Sequence, residues 1–419
     1  MILSSLLLLL LAVLGAPLFA IIGAGALLGY LRADVDLTAV PIEIYGIAET
    51  PILLAIPLFT FAGYILSESR AAARLVRLSS ALLGWLPGGL AMVAVATCSL
   101  FTAFTGGSGV TIIAIGALLF PALIQAGYSE RFTLGLVTSS GSLGLLFAPS
   151  LPLIIYGIIA EVSIDDLFIA GILPGTLMMV ALAGFCIWRN RANRRPLSEF
   201  SWGEVGAALR ESVWELPLPV VVLGGIYSGV FAVSEAAAVT VVYVLVVELL
   251  IYREVPFRRL AAIVRDSMVL VGGILLILGI SLASTNYMID AQVPQQLIEL
   301  VTRYVSSPTS FLLLLIAFLM LIGCILHIFS ALVLVVPLML PVAAQYGIDP
   351  VHLGIIFVAT MELGYLLPPI GLNLYIASYR FGRPVLDVCL ATVPFILILL
   401  GAVLLITFVP SLSLAFLKP

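Results

Sequence analysis

Four glycine and proline landmarks recur in this chain at one constant separation of 220 residues: Pro121 with Pro341, Gly127 with Gly347, Gly144 with Gly364, and Pro149 with Pro369. They sit in matching surroundings. In Gly107–Ser150 an apolar run closes at Phe120-Pro121, and Gly144-Leu145-Leu146-Phe147-Ala148-Pro149 follows. In His327–Ile370 the run closes at Leu340-Pro341, and Gly364-Tyr365-Leu366-Leu367-Pro368-Pro369 follows. The chain is 63% hydrophobic and 10% charged, against about 25% charged in a soluble domain. No soluble fold hides that much apolar surface, so the class is a polytopic membrane protein. Paired hydrophobic segments broken by Gly and Pro at corresponding places then point to the binding region of a transporter built from two repeats.

A helix needs about 20 apolar residues to cross roughly 30 Å of hydrocarbon. Candidate spans are Leu3–Leu28, Pro51–Leu66, Phe132–Ile159, Leu167–Trp188, Leu216–Val230, Glu235–Tyr252, Met268–Asn286, Val351–Tyr379 and Leu386–Val409. The first lacks a basic leader region and is too long for a signal core, so a retained membrane helix is expected. Two longer stretches, Leu86–Ala126 and Phe311–Gln345, break near Thr105–Gly109 and Gly323–His327. Each is either two spans or a re-entrant hairpin. Basic residues choose between these. If both stretches enter and leave by one face, 15 of the 18 Lys and Arg share the cytoplasmic side, and only Arg32, Arg303 and Lys418 fall opposite. Two hairpins opening to opposite sides, and therefore inverted repeats, are expected. The N-terminus is placed in the cytoplasm and the C-terminus in the periplasm.

The predicted fold is thus all-α, with scaffold helices over 1–68 and 214–285. A first repeat occupies 69–188, with its hairpin near 86–126 and a broken helix near 132–159. A cytoplasmic link covers 189–213. The second repeat occupies 286–419, with its hairpin near 311–345, a broken helix near 351–379 and a last helix. An amphipathic stretch precedes each hairpin, Ser69–Leu83 with arginines at 70, 74 and 77, and Val293–Val305; such helices lie along a membrane surface. The four cysteines, Cys98, Cys186, Cys324 and Cys389, lie in apolar runs without metal-site or redox spacing and are expected as buried apolar groups.

Irregular backbone at membrane depth survives only where protein or a wet cavity satisfies it. Bare carbonyls and hydroxyls suit a hard cation, whereas helix N-termini suit anions. The first repeat offers Thr105, Ser108, Thr111, Thr138, Ser139, Ser140 and Ser142. The second offers Ser330, Thr360 and Glu362. A charge at mid-bilayer is costly, so Glu362 is either a cation or proton site or a carboxylate paired to backbone donors. Glu235 and Glu248 are expected at membrane interfaces, and His352 likewise. His327 at the second tip either titrates near neutral pH, contacts ligand, or is neutral and bonded to a carbonyl. Neither tip carries Lys or Arg. No GxxxxGK[ST] phosphate loop is present, so ATP is not an energy source within this chain and an ion gradient is required.

The chain resembles the large membrane subunit of tripartite ATP-independent periplasmic (TRAP) transporters, in the wider ion-transporter superfamily. The resemblance rests on Ala103-Phe104-Thr105-Gly106-Gly107-Ser108, on Gly141–Gly144 through Pro149-Ser150, on Gly347-Ile348-Asp349-Pro350-Val351-His352, and most of all on Glu362 through Asn373. It implies an elevator motion of hairpins and broken helices against a scaffold of long helices. It also implies Na⁺ as the coupling ion, no other cofactor, a small membrane subunit, and an extracytoplasmic binding protein that delivers a small organic anion. The location implied is a bacterial inner membrane, with the lipid bilayer as surroundings and no nucleic acid as partner. Under this resemblance a first cation site is expected at Gly106, Gly107 and Ser108 with Gly141 and Ser142. A second is expected at Thr360, Glu362 and Gly364 with the backbone of Gly323 and Leu326. Substrate is expected between the tips, near Thr105, Ser108, Ser140, His327 and the breaks at Pro149 and Pro369. Two positions depart from the family pattern: Thr105-Gly106-Gly107-Ser108 lacks one expected hydroxyl, and His327 replaces an acidic residue. The rival from the enzyme class is an intramembrane serine protease, because Gly106-Gly107-Ser108-Gly109 spells GxSG and His327 could serve as base. An ion channel is the other alternative.

Overall fold

The computed structural model describes residues 2–86, 88–190 and 200–417. Arg191, Arg194, Arg195 and Lys418, used above to set orientation, lie outside the described residues, as does 191–199 of the expected link. Among the described residues the regular structure is helical, with no strand. Among these residues seven helices are long and apolar enough to cross a membrane, or up to nine if each of two bent helix pairs counts as one span.

The duplicated pattern is a duplicated structure. The first unit runs through an arm helix (Ala71–Leu83), hairpin helices Gly89–Thr105 and Ser108–Gln125, a broken helix (Glu130–Ser140 and Leu151–Ala160) and a closing helix, Ile164–Arg189. The second repeats the order with Val293–Tyr304, then Pro308–Gly323 and Ile328–Gln345, then Pro350–Gly364 and Leu372–Phe381, then Val385–Phe408. The returning hairpin helices Ser108–Gln125 and Ile328–Gln345 are offset by 220 residues at both ends. Side-chain caps begin the broken helices: Ser129 accepts from the Phe132 N–H, and Asp349 from those of Val351 and His352, satisfying donors that a helix start leaves unpaired. The breaks carry prolines after cis bonds, Ala148-Pro149 and Pro368-Pro369.

The two units interlock. The second half of each broken helix packs on the other unit's returning hairpin helix, Leu372–Phe381 on Ser108–Gln125 and Leu151–Ala160 on Ile328–Gln345. Phe120 and Phe381 stack with ring centroids 4.6 Å apart, and Arg380 donates to the Ile113 carbonyl at 3.2 Å. Around them run Leu18–Arg32, Ala55–Glu68, Val233–Leu245 and the 34-residue helix Phe257–Asp290.

Four expectations need correction. The expected single helix Leu3–Leu28 is two, Ile2–Val13 and Leu18–Arg32; Pro17, which has no N–H to continue a ladder, stands where the second begins. The first arm helix does not present Arg74 to a surface. Arg74 is 4% exposed, and its guanidinium donates to Glu215, to Glu254 at 2.6 Å and to Glu248 at 3.2 Å, while lying 4.0 Å over the Tyr252 ring. Glu248, expected at an interface, is fully buried in a π-helical turn, Val246–Ile251. Burial outweighs Arg74 at Glu215 and holds that carboxyl above its ordinary range. His352 is buried too, its ring nitrogens 3.1 Å from Ser413 Oγ and 3.3 Å from the Thr407 carbonyl. Local hydrophobicity cannot reveal partners so distant in sequence.

Candidate functional site

The two hairpin tips meet at one cavity of about 170 Å³. Thr105, Gly106, Gly107, Ser108, Gly109 and Val110 line it from the first tip, and His327, Ile328 and Phe329 from the second. Leu145 and Leu151 come from the first break, Tyr365, Leu372 and Ile376 from the second, and Tyr64 and Leu270 from the surrounding helices. No lysine or arginine is among these residues. What faces the cavity is the first turn of two helices, each 18 residues long, whose leading N–H groups favour negative charge.

The first tip is a turn of two glycines. Gly106 has φ +66°, a left-handed conformation that a residue with Cβ adopts only with strain. Below it, Thr102 donates to the Gly141 carbonyl at 2.7 Å and sits 2.6 Å from the Thr111 hydroxyl, which pins the tip to the first break. Gly144 allows backbone contact there, since a Cβ would lie 2.3 Å from the Ser99 carbonyl. On the outer side, a Cβ on Gly63 would stand 2.8 Å from Thr105 Cα, so the tip rests main chain to main chain on Ala55–Glu68.

The second tip is pinned in the same manner. The Ile370 and Gly371 N–H groups donate to the Cys324 carbonyl at 3.2 and 2.9 Å, and Gly323 meets Gly364, where a Cβ would lie 2.6 Å from Gly323 Cα. Beside this crossing Glu362 is 1% exposed, and neither of its carboxylate oxygens has a hydrogen-bond partner among the described residues. The alternative in which backbone donors hold Glu362 is therefore not realised. Thr360 Oγ1 is likewise buried without a partner among the described residues.

The structure thus gathers Thr105, Gly106, Gly107, Ser108 and His327 around one space, with Gly141 and Ser142 packed at the first break and Gly323 and Gly364 in contact at the second. Ser140, Leu326, Pro149 and Pro369 do not line the cavity. The Ser140 hydroxyl donates to the Leu136 carbonyl at 2.8 Å, which leaves its lone pairs within the helix. Ser108 Oγ donates to Asn373 Oδ1 at 2.8 Å, and His327 Nδ1 accepts from the Phe329 N–H at 3.5 Å. The imidazole is therefore not bonded to the hydroxyl it would have to activate in a protease. Among the described residues no three His, Cys, Asp or Glu side chains cluster as metal ligands, so a cation here would depend on carbonyls and hydroxyls. Sequence reasoning passed over Asn373, Tyr365 and Tyr64. Asn373 alone carried a signal, as an amide inside an apolar run just past the break.

A family described as the tripartite ATP-independent periplasmic transporter, DctM component, matches residues 2–412. The chain is 35% identical over 393 residues to the C4-dicarboxylate TRAP transporter large permease protein DctM of Pseudomonas aeruginosa, covering 94% of this chain and 92% of that one. It is 34% identical over 410 residues to the ectoine/5-hydroxyectoine TRAP transporter large permease protein UehC of Ruegeria pomeroyi, covering 96% and 95%. Among solved structures, the YdaH transporter of Alcanivorax borkumensis matches with a TM-score of 0.60 over 99% of both chains at 14% identity, a likeness of fold alone.

Proposed function

The chain belongs to the DctM-component family of tripartite ATP-independent periplasmic transporters, and from that premise we propose that it is the large permease of a Na⁺-coupled carrier importing a small organic acid across a bacterial inner membrane. The observation that carries this reading is the shared cavity, where two helix starts face one space between pinned, glycine-built tips. An anion would lie on those helix starts. Na⁺ would be held by carbonyls and hydroxyls at Gly106–Ser108 with Gly141 and Ser142, and near Thr360, Glu362, Gly323 and Gly364. Each charge entering down 100 mV supplies about 2.3 kcal/mol. The interlocked hairpins and broken helices would move as one body past the helices of 1–68 and 214–285, with the bare contact at Gly63 as part of the sliding surface. The tripartite family implies a small membrane subunit and a periplasmic binding protein, and the latter would hand over the cargo.

The test is uptake of labelled succinate and ectoine into proteoliposomes holding the chain, its small subunit and the loaded binding protein. Saturable uptake that collapses when Na⁺ is replaced by K⁺ is expected. Uptake indifferent to Na⁺ refutes the coupling, and an ionic current without saturable uptake supports a channel instead. Within that assay Glu362→Gln should raise the half-saturating Na⁺ concentration about 10- to 150-fold, the equivalent of losing one charge-assisted contact of roughly 1.5–3 kcal/mol. An unchanged Na⁺ curve would remove Glu362 from the second cation site.

A further inference from the structure

We propose that Asn373 and Tyr365 join the two hairpin tips into one hydrogen-bonded chain, so that cation occupancy at the first tip sets how the second tip receives an anion. The inference rests on the cation-coupled carrier proposed above. The chain begins at Ser108, the first residue of the returning helix of hairpin one, whose hydroxyl donates to Asn373 Oδ1 at 2.8 Å. The Asn373 N–H donates to the Tyr365 carbonyl at 3.2 Å. Tyr365 Oη then accepts from the N–H of Ile328 at 2.6 Å, and Ile328 is the first residue of the returning helix of hairpin two. Three contacts link the two helix starts that face the cavity.

Each end has a defined chemical role. Because Asn373 Oδ1 accepts the hydrogen bond of the Ser108 hydroxyl, both lone pairs of Ser108 Oγ are left to face a cation at the first tip. A cation ligating Ser108 Oγ fixes that hydroxyl and with it the Asn373 side chain. Because saturated carbons separate the amide from the Asn373 N–H and the Tyr365 carbonyl from its phenol, the coupling passes as displacement of these residues. At the far end, the Ile328 N–H has one hydrogen to give. It is held by Tyr365, so an anion settling on the second helix start competes with the phenol for that donor. Asn373 and Tyr365 are positioning residues here, not ligands.

Packing does not require these polar groups. The repeat places Leu153 at the position of Asn373 and Leu145 at that of Tyr365, each 220 residues earlier, and both leucines are buried. The inverted copy fills the same places with aliphatic side chains, so the bridge exists on one side of the cavity only. Asn373 is 0% exposed, and its Nδ2 has no partner among the described residues. A buried amide with an idle end is poor packing, and such groups in native proteins call for a functional reason.

The test compares Tyr365→Phe, Asn373→Leu and the double variant with wild type in the reconstituted complex. Asn373→Leu installs the residue that the first repeat already uses. The substrate KM is measured for whichever of succinate or ectoine is taken up, from low to saturating Na⁺. Coupled sites shift each other's affinity by about 5- to 150-fold. Each variant should reduce the Na⁺-driven fall in KM at least about fivefold, and the double variant should reduce it no further than either single one, because the contacts act in series. An unchanged dependence in either variant, or reductions that multiply, overturns the proposal. If wild type itself shows no Na⁺ effect, it is the carrier reading that fails. Should Asn373→Leu not assemble, Tyr365→Phe alone, which removes one hydroxyl, decides by the same measure.

Discussion

Replacing Arg74 with leucine is expected to lower stability by about 3–5 kcal/mol, the usual cost of removing one partner from a buried ionic cluster. Glu215, Glu248 and Glu254 all accept from that one guanidinium, and two of the three are themselves buried. Without it three carboxylates, all from the segments between the repeats, face one another in a poorly solvated space. Thermal unfolding of the purified complex reads the loss. Its pH dependence has a definite sign. Glu215 already titrates above the ordinary carboxylate range because it is buried, so the folded state binds protons that the unfolded chain has released. Stability from such a group is present at low pH and declines as pH rises through the folded value. Removing Arg74 pushes that value further up, so the deficit should be largest at pH 7–8 and smaller near about pH 5, still above the ordinary glutamate pKa of roughly 4.3. A deficit independent of pH would mean that packing around the Tyr252 ring, not charge, is what Arg74 supplies.

Gly364→Ala and Gly144→Ala should be strongly damaging single-methyl additions at the chain's two breaks. At Gly364 the new carbon would meet main-chain atoms of Gly323 at 2.6 and 2.8 Å; at Gly144 it would meet the Ser99 carbonyl at 2.3 Å and the Ala103 nitrogen at 2.6 Å. Backbone cannot rotate aside as a side chain does, so each hairpin must back away from its broken helix. Overpacking of this kind costs about 1–3 kcal/mol, and uptake should fall by at least tenfold because the tips are displaced from the cavity they form; displacements of about 1 Å are enough for losses of that size at a functional site. Gly401→Ala is the control. No atom lies within 4 Å of a Cβ there, and alanine in a helix interior is preferred to glycine by about 0.5–1 kcal/mol. Equal effects at all three positions would show that helix propensity and not close approach governs them.

The sequence made the hairpins and breaks readable because Gly and Pro act locally: each alters the backbone where it stands, and the 220-residue offset exposed the pattern twice. Thr105–Ser108 and His327 stood out for the same reason, since bare main chain at a turn needs no distant partner, and the fold brings them to one cavity. Arg74 failed because its surroundings are made by residues 141 to 180 positions away, and an amphipathic pattern reports which side is polar, not what covers it. Glu248 was misplaced because the π-helical turn shifts the register that a regular helix would give. His352 looked like a boundary residue by position, yet the final short helix folds back to meet it. Asn373 lay inside a quoted signature, but only the fold brings it beside Ser108. The split of the first apolar run could have been found, since Gly15 and Pro17 lie within it.

Two α-helix starts each behave as roughly half an elementary charge, so the pair opposed across this space amounts to about one. A singly charged guest would be balanced by peptide dipoles alone. A doubly charged one would leave the chamber in electrostatic deficit by about one unit until a cation arrived with it, making co-entry of the ion a matter of neutrality as well as of energy supply.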